Sequence, residues 1–201
     1  MTMKRLCLFI VAVLCLASCT GVEDFGQYWG KGFIDPALEG SWKKLGLPGQ
    51  DRNSIEGPDL LRFTRNATSY ALQAINPIDQ TAKPEVIQRQ RADNEERSSA
   101  RTLRIGKSLF LMQREAGGQG KGVIERYDVR RGTLQEYQID NGAAVEFLEA
   151  KHPTAKNIKR NDGEGEYVVI DTFDDEVFQV LSEIADDPAY WILNCRYQKV
   201  A

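Results

Sequence analysis

The chain has 201 residues, 26 of them basic and 29 acidic, with one histidine and a formal net charge of −3. This mildly acidic balance excludes the basic stripe of a nucleic-acid-binding surface, and a single histidine excludes histidine-rich metal sites. The length is enough for one domain with a proper hydrophobic core.

The first five residues, Met1 to Arg5, form a short positive stretch, and Leu6 to Leu16 is apolar apart from cysteines, which behave as small hydrophobes. A membrane-spanning helix needs about 20 apolar residues. Here polarity begins at Ser18 and continues through Glu23 and Asp24, so the pattern is that of an export signal. The run ends in Leu16-Ala17-Ser18-Cys19.

Those four residues resemble the lipobox of bacterial lipoproteins: Leu, two small residues, then Cys. The resemblance implies cleavage between Ser18 and Cys19, a diacylglyceryl group on the Cys19 thiol, and often a further acyl chain on the new amine. It also implies that Thr20, where an Asp would favour the inner membrane, directs the protein to the outer membrane. The expected partner is therefore the membrane itself, through acyl lipid on Cys19, with no other cofactor. Each buried methylene contributes roughly 0.8 kcal/mol, so two or three chains amount to a permanent anchor. Lys4 and Arg5 leave with residues 1–18, so 183 residues remain, with 24 basic against 29 acidic and a net charge of −5. Cys7 and Cys15 leave too, and Cys195 is then the one thiol not used by lipid, which rules out an internal disulfide and a cysteine zinc site.

Residues 19–36 read as a lipidated N-terminal segment ahead of a single β-rich domain, 37–201. The aromatics Phe25, Tyr28, Trp29 and Phe33 either pack back onto that domain or, for Tyr28 and Trp29, sit at lipid headgroups. From Leu38 to Ile75 the pattern is of strands. Leu61 and Phe63 alternate with polar neighbours, Arg65-Asn66-Ala67 makes a turn, and Tyr70, Leu72 and Ala74 alternate on the return. Asn76 to Ser99 is highly charged and reads as a long excursion or an irregular strand with a surface loop. Leu103 and Ile105 lead through Gly106-Lys107 to Leu109–Met112, a second hairpin. Gly106-Lys107-Ser108 looks like the tail of a phosphate loop, but Arg101 stands where the leading glycine belongs.

Gly117-Gly118-Gln119-Gly120 reads as a flexible loop, and Val123–Val129 pairs with Thr133–Ile139 across Arg131-Gly132. Two short helices are expected late in the chain. Asp140 caps the first, Ala143 to about Lys151, and Thr172 caps the second, with Val177, Val180, Leu181 and Ile184 as its buried stripe. Asn161 to Glu166 reads as a polar loop between them. Tyr190 to Val200 is the last strand, and period-two alternation puts Trp191, Leu193, Cys195 and Tyr197 on one face. The fold class is thus mainly β (α+β), with eight to ten short antiparallel strands in a barrel or strongly curved sheet.

Gly40-Ser41-Trp42 at the start of such a chain resembles the opening motif of lipocalins, whose eight-stranded barrels hold small apolar ligands. In that family a basic residue on the last strand covers the tryptophan, which makes Arg196 the candidate partner of Trp42. The chemistry-bearing residues are few. His152 lies at a helix end, and the carboxylates Asp171, Asp174, Asp175 and Glu176, or Asp162, Glu164 and Glu166, stand where caps and solvated loops attract them. No catalytic or metal-binding residue is nominated. The expected function is that of a lipid-anchored, periplasm-facing envelope lipoprotein, a non-enzymatic binding or assembly module for a small apolar ligand or an envelope protein. The alternative is a carboxylate-dependent hydrolase of the cell envelope.

Overall fold

The computed structural model describes residues 20–47, 57–115, 121–161 and 167–200. The signal stretch, the lipobox with Ser18 and Cys19, the glycine loop 117–120 and the acidic loop 162–166 lie outside the described residues.

Eight strands close an antiparallel, lipocalin-like barrel: β2 (Gly40–Leu45), β3 (Leu60–Arg65), β4 (Tyr70–Ile75), β5 (Ser98–Ile105), β6 (Ser108–Arg114), β7 (Gly122–Arg130), β8 (Thr133–Ile139) and β11 (Trp191–Val200). Each of β2 to β8 pairs with the next, and β11 completes the ring between β8 and β2. Period-two alternation sets the inside. Phe63 opposes Leu72, and Leu61 on the same face opposes Ala74, so one register carries Leu61, Phe63 and Leu72 into the core.

The two ends of the barrel differ. At one end the strands are joined by tight turns. Arg131 (φ 50°) and Gly132 (φ 75°) are both left-handed, the backbone that a two-residue turn needs to match the twist of β7 and β8. The Gly106-Lys107 turn is clasped by Asp186, which accepts the Lys107 N–H at 3.0 Å and the Ser108 hydroxyl at 2.7 Å. That is the structural role of the sequence that looks like a phosphate loop. At the other end the connections are long: 46–59, 76–97, 115–121 and 140–190.

Residues 33–39 seal the tight-turn end. Phe33 exchanges two backbone hydrogen bonds of 2.8 Å with Thr102, at a part of β5 that β4 does not reach. Inside, the Asp35 carbonyl accepts the Tyr70 hydroxyl at 3.0 Å, its carboxylate accepts the Tyr127 hydroxyl at 2.8 Å, and the Leu38 carbonyl accepts Trp42 Nε1 at 2.7 Å. Trp42, Phe63, Tyr70 and Leu134 fill this half of the interior, each less than 2% exposed.

A second core lies outside the barrel wall. β7 forks: Arg126–Arg130 pair with β8, whereas Gly122–Ile124 pair with β1 (Thr20–Asp24), which continues in parallel into β10 (Tyr167–Thr172) and then antiparallel into β9 (Ile158–Asn161). The sequence pattern does not announce β1. Phe25 and Tyr28, the latter in the short helix α1 (Tyr28–Lys31), are buried in this outer core with Phe173, so these aromatics pack onto the fold. Trp29 is partly covered and carries the Arg114 guanidinium 4.3 Å above its ring.

The charged stretch 76–99, read as an excursion or irregular strand, contains a helix instead, α2 (Pro84–Glu95). It has good helix formers and Pro at its first position but buries no residue, so no apolar stripe betrays it. Asn94 ties it down, its side chain exchanging two 2.8 Å bonds with the Asn76 backbone. The two late helices form as expected, α3 (Asn141–Lys151) capped by Asp140 and α4 (Asp175–Ile184). The cap of α4 is Asp174, which accepts the Val177 N–H at 3.0 Å, because Thr172 is still held in β10.

Candidate functional site

The inward face of the barrel turns polar toward the long-loop end. Glu125 on β7 and Glu136 on β8 both point inside and are each only 6% exposed. Cys195 on β11 lies directly opposite Glu136, and Tyr197 lies opposite Lys44 of β2. Lys44 Nζ donates to the Gly57 carbonyl at 2.9 Å and stands 3.2 Å from Asp59, and Gln113 Nε2 donates to Glu125 at 3.2 Å. Tyr197 is fully buried beside Glu136 and Cys195, and Gln138 Oε1 meets no hydrogen-bond partner among the described residues. Gly57 lets the chain approach this cluster: a Cβ there would stand 2.7 Å from Cys195 Sγ and 3.0 Å from the Tyr197 hydroxyl.

Burial sets the protonation of these groups. Desolvation, reinforced by the negative charge of Glu125, holds the Glu136 carboxyl well above the ordinary carboxylate range, opposed in part by the Tyr197 hydroxyl. Burial likewise pushes the Cys195 thiol, which is buried in the barrel core, up to about 12. The folded protein therefore keeps a proton on Glu136 at pH values where the unfolded chain has released it. Stability must fall as pH rises from the unfolded carboxylate value toward the folded one, by at most about 1.4 kcal/mol for each pH unit. Urea unfolding at intervals from pH 5 to 8 should show that decline in the wild type and a flatter profile in Glu136→Gln. Equal slopes in the two proteins would contradict the assignment.

A small cavity of about 230 Å³ lies elsewhere, under the C-terminal end of α3, lined by Val145, Leu148, Glu149, His152, Pro153, Ala155 and Ile158. His152 Nε2 is 3.3 Å from Glu183 of α4, and the imidazole sits against Phe147. The histidine thus joins the end of α3 to α4.

No family model, curated protein or solved structure matches the chain. The assignment of roles therefore rests on the geometry of this molecule.

Of the residues singled out by sequence, Trp42 is fully buried at the sealed end. Its basic neighbour is Lys199, directly opposite in the register, with Nζ 5.1 Å from the ring. Arg196 instead lies opposite Leu45 and Gln135, with parity contrary to Tyr197, and does not cover the tryptophan. A β-bulge between Leu193 and Cys195 breaks the expected single face: Trp191 packs in the outer core, Cys195 and Tyr197 in the barrel. The acidic run before α4 is structural. Asp174 caps, Glu176 accepts the Lys156 N–H at 2.9 Å, and Asp175 accepts the Tyr28 hydroxyl at 2.6 Å. Among the described residues no group of three or more histidine, cysteine or acidic side chains is placed to hold a metal ion. The inward glutamates were not singled out by sequence reading. Their signal was parity: Glu125 shares its face with Val123, Tyr127 and Val129, and Glu136 shares its face with Leu134.

Proposed function

We propose that the chain is an envelope lipoprotein, held by acyl lipid on Cys19 to the periplasmic side of the outer membrane, whose barrel is a non-enzymatic binding module. The observation that carries the binding role is the asymmetry of the barrel. One end is sealed by residues 33–39 and filled with aromatic side chains, and toward the other the inward face turns polar, with Glu125 and Glu136 buried on it.

The anchor and the barrel are consistent with one another. Thr20 is already buried and paired with Ile124, so lipid on Cys19 would hold the domain at the bilayer surface with no linker. Growth with labelled palmitate should place the label on the wild-type protein and not on Cys19→Ala, which should be released from membranes; label retained by Cys19→Ala would refute the anchor. Native mass spectrometry of the purified protein tests the binding role. A retained small molecule or a stoichiometric envelope protein supports it, and a bare mass under conditions that preserve the fold counts against it.

The second reading, a carboxylate-dependent envelope hydrolase, draws on the Glu125 and Glu136 pair. Both carboxyls lie behind the barrel wall at 6% exposure, where a polymeric substrate has no approach, and for that reason the binding reading is preferred.

A further inference from the structure

Two arginines stand close together on the outer face of the barrel wall without a counter-ion. Arg101 on β5 lies opposite Met112, and Arg114 on β6 lies opposite Ser99, so the period of two sets them on one face and makes the arginines diagonal neighbours. Both guanidiniums converge on Trp29 of α1. Arg101 Nη1 donates to the Trp29 carbonyl at 2.7 Å, and the Arg114 guanidinium stacks 4.3 Å above its ring. Gly32 lets that segment lie down on the sheet, since a Cβ there would stand 3.0 Å from the Arg101 Cβ. The groups that hold the two like charges in place are thus neutral, a carbonyl and an indole. Among the described residues neither arginine has a carboxylate partner, and the Nε of each is enclosed without a hydrogen bond. The neighbouring lysines differ: Lys121 Nζ is 2.7 Å from Glu23, and Lys31 Nζ is 3.8 Å from Asp175. In a chain with more acidic than basic residues, a fixed arginine pair that no carboxylate serves leaves its charge for an anion from outside.

We propose that Arg101, Arg114 and Ser99 form a binding site for a phosphate group, with Trp29 as its apolar flank. Arginine forks from two strands and the exposed Ser99 meet an anion from different directions, which suits the tetrahedral oxygens of phosphate. A planar carboxylate is served by one fork. Both arginines are partly exposed, so the site opens at the surface. Arg114 lies opposite Gly122, and Gly122 lies opposite Val22. The site is therefore two strand spacings and two residues from Thr20, about 12 Å. Phospholipid headgroups around an anchor on Cys19 are one source of the phosphate, and a soluble phosphate ester is the other. The site lies outside the barrel and does not depend on the binding role of its interior.

The test is calorimetry on the full chain in detergent, with inorganic phosphate as one probe and phosphatidylglycerol in mixed micelles as the other. Sodium acetate at the same ionic strength is the control for carboxylate. The expected result is saturable binding of at least one phosphate probe, with acetate weaker by at least about tenfold. Arg101→Gln and Arg114→Gln should each weaken phosphate binding by at least about tenfold. Arg114→Lys, which keeps the charge and loses the fork, should also weaken it, and serves where the glutamine variant fails to fold by circular dichroism. Lys121→Gln removes a nearby charge that has its own carboxylate, and should leave binding unchanged. Binding of inorganic phosphate assigns the site to a soluble ester, binding of phosphatidylglycerol alone assigns it to the membrane, and either upholds the proposal. Binding of neither probe, acetate binding as tight as phosphate, or a loss in Lys121→Gln equal to that in the arginine variants would overturn it. Failure here leaves the palmitate and native mass spectrometry tests of the anchor and the binding module untouched.

Discussion

Replacing Trp42 by alanine should lower the free energy of unfolding by about 3–5 kcal/mol, the range for removing a large aromatic from a packed core. Trp42 is 0% exposed and does three things at once. Its ring fills the sealed end beside Leu38, Phe63 and Tyr70, its Nε1 satisfies the Leu38 carbonyl at 2.7 Å, and its face carries the Lys199 ammonium at 5.1 Å. Alanine would leave a cavity at the floor and an unpaired carbonyl in the segment that closes it. Trp42→Phe keeps much of the volume but not the donor, and so should lie between. Lys199→Met, which removes only the cation from a partly solvated contact, should cost no more than about 1 kcal/mol. Urea unfolding followed by far-ultraviolet circular dichroism separates these cases. If Trp42→Ala costs less than Lys199→Met, the tryptophan is not the keystone of the sealed end.

The same residues show how far the sequence can be read. The β3–β4 and β7–β8 hairpins were legible because Leu61, Phe63, Tyr70 and Leu72 alternate cleanly and Arg131-Gly132 supplies a two-residue turn. The barrel followed from counting such strands. α2 was not legible, since a helix that buries nothing has no stripe to detect. β1 was hidden for a different reason: Thr20–Asp24 has only five residues, and its pairing with β7 and β10 lies about 100 and 150 residues away in sequence, beyond any local signal. The bulge after Leu193 is likewise invisible to a strict period of two, and it decides which core receives Trp191 and which receives Cys195. Arg196 came from the lipocalin resemblance, whereas unbroken alternation past the bulge sets Lys199, not Arg196, on the face of Trp42. The buried pair Glu125 and Glu136 was missed because glutamate on a strand reads as solvent-facing. Only closure of the barrel turns the face shared by Glu125, Tyr127 and Val129 into an interior.

Gly122→Ala should be among the most damaging single substitutions in the chain, for a reason that no propensity scale contains. A Cβ at Gly122 would overlap the Gln113 carbonyl oxygen and stand 2.9 Å from the Phe25 ring. The residue sits where three strands meet. It lies opposite Arg114 of β6 and opposite Val22 of β1, at the fork of β7 that joins the barrel to the outer sheet. A neighbouring flexible side chain could move aside, but the clash is with backbone, and relief requires β6 and β7 to part and the ladder bonds on either side to lengthen. The expected loss is at least about 3 kcal/mol, at the upper end of what overpacking costs, because register and packing fail together. Gly21→Ala is the control, one residue from Val22 on the facing strand, where an added Cβ meets nothing within 4 Å. It should unfold within about 1 kcal/mol of the wild type. Hydrogen exchange on Gly122→Ala should then show early loss of protection in β1 and the first half of β7, before the β3–β4 hairpin across the barrel. Uniform loss across all strands would mean that the barrel and the outer sheet unfold as one unit and that the fork is not where they separate.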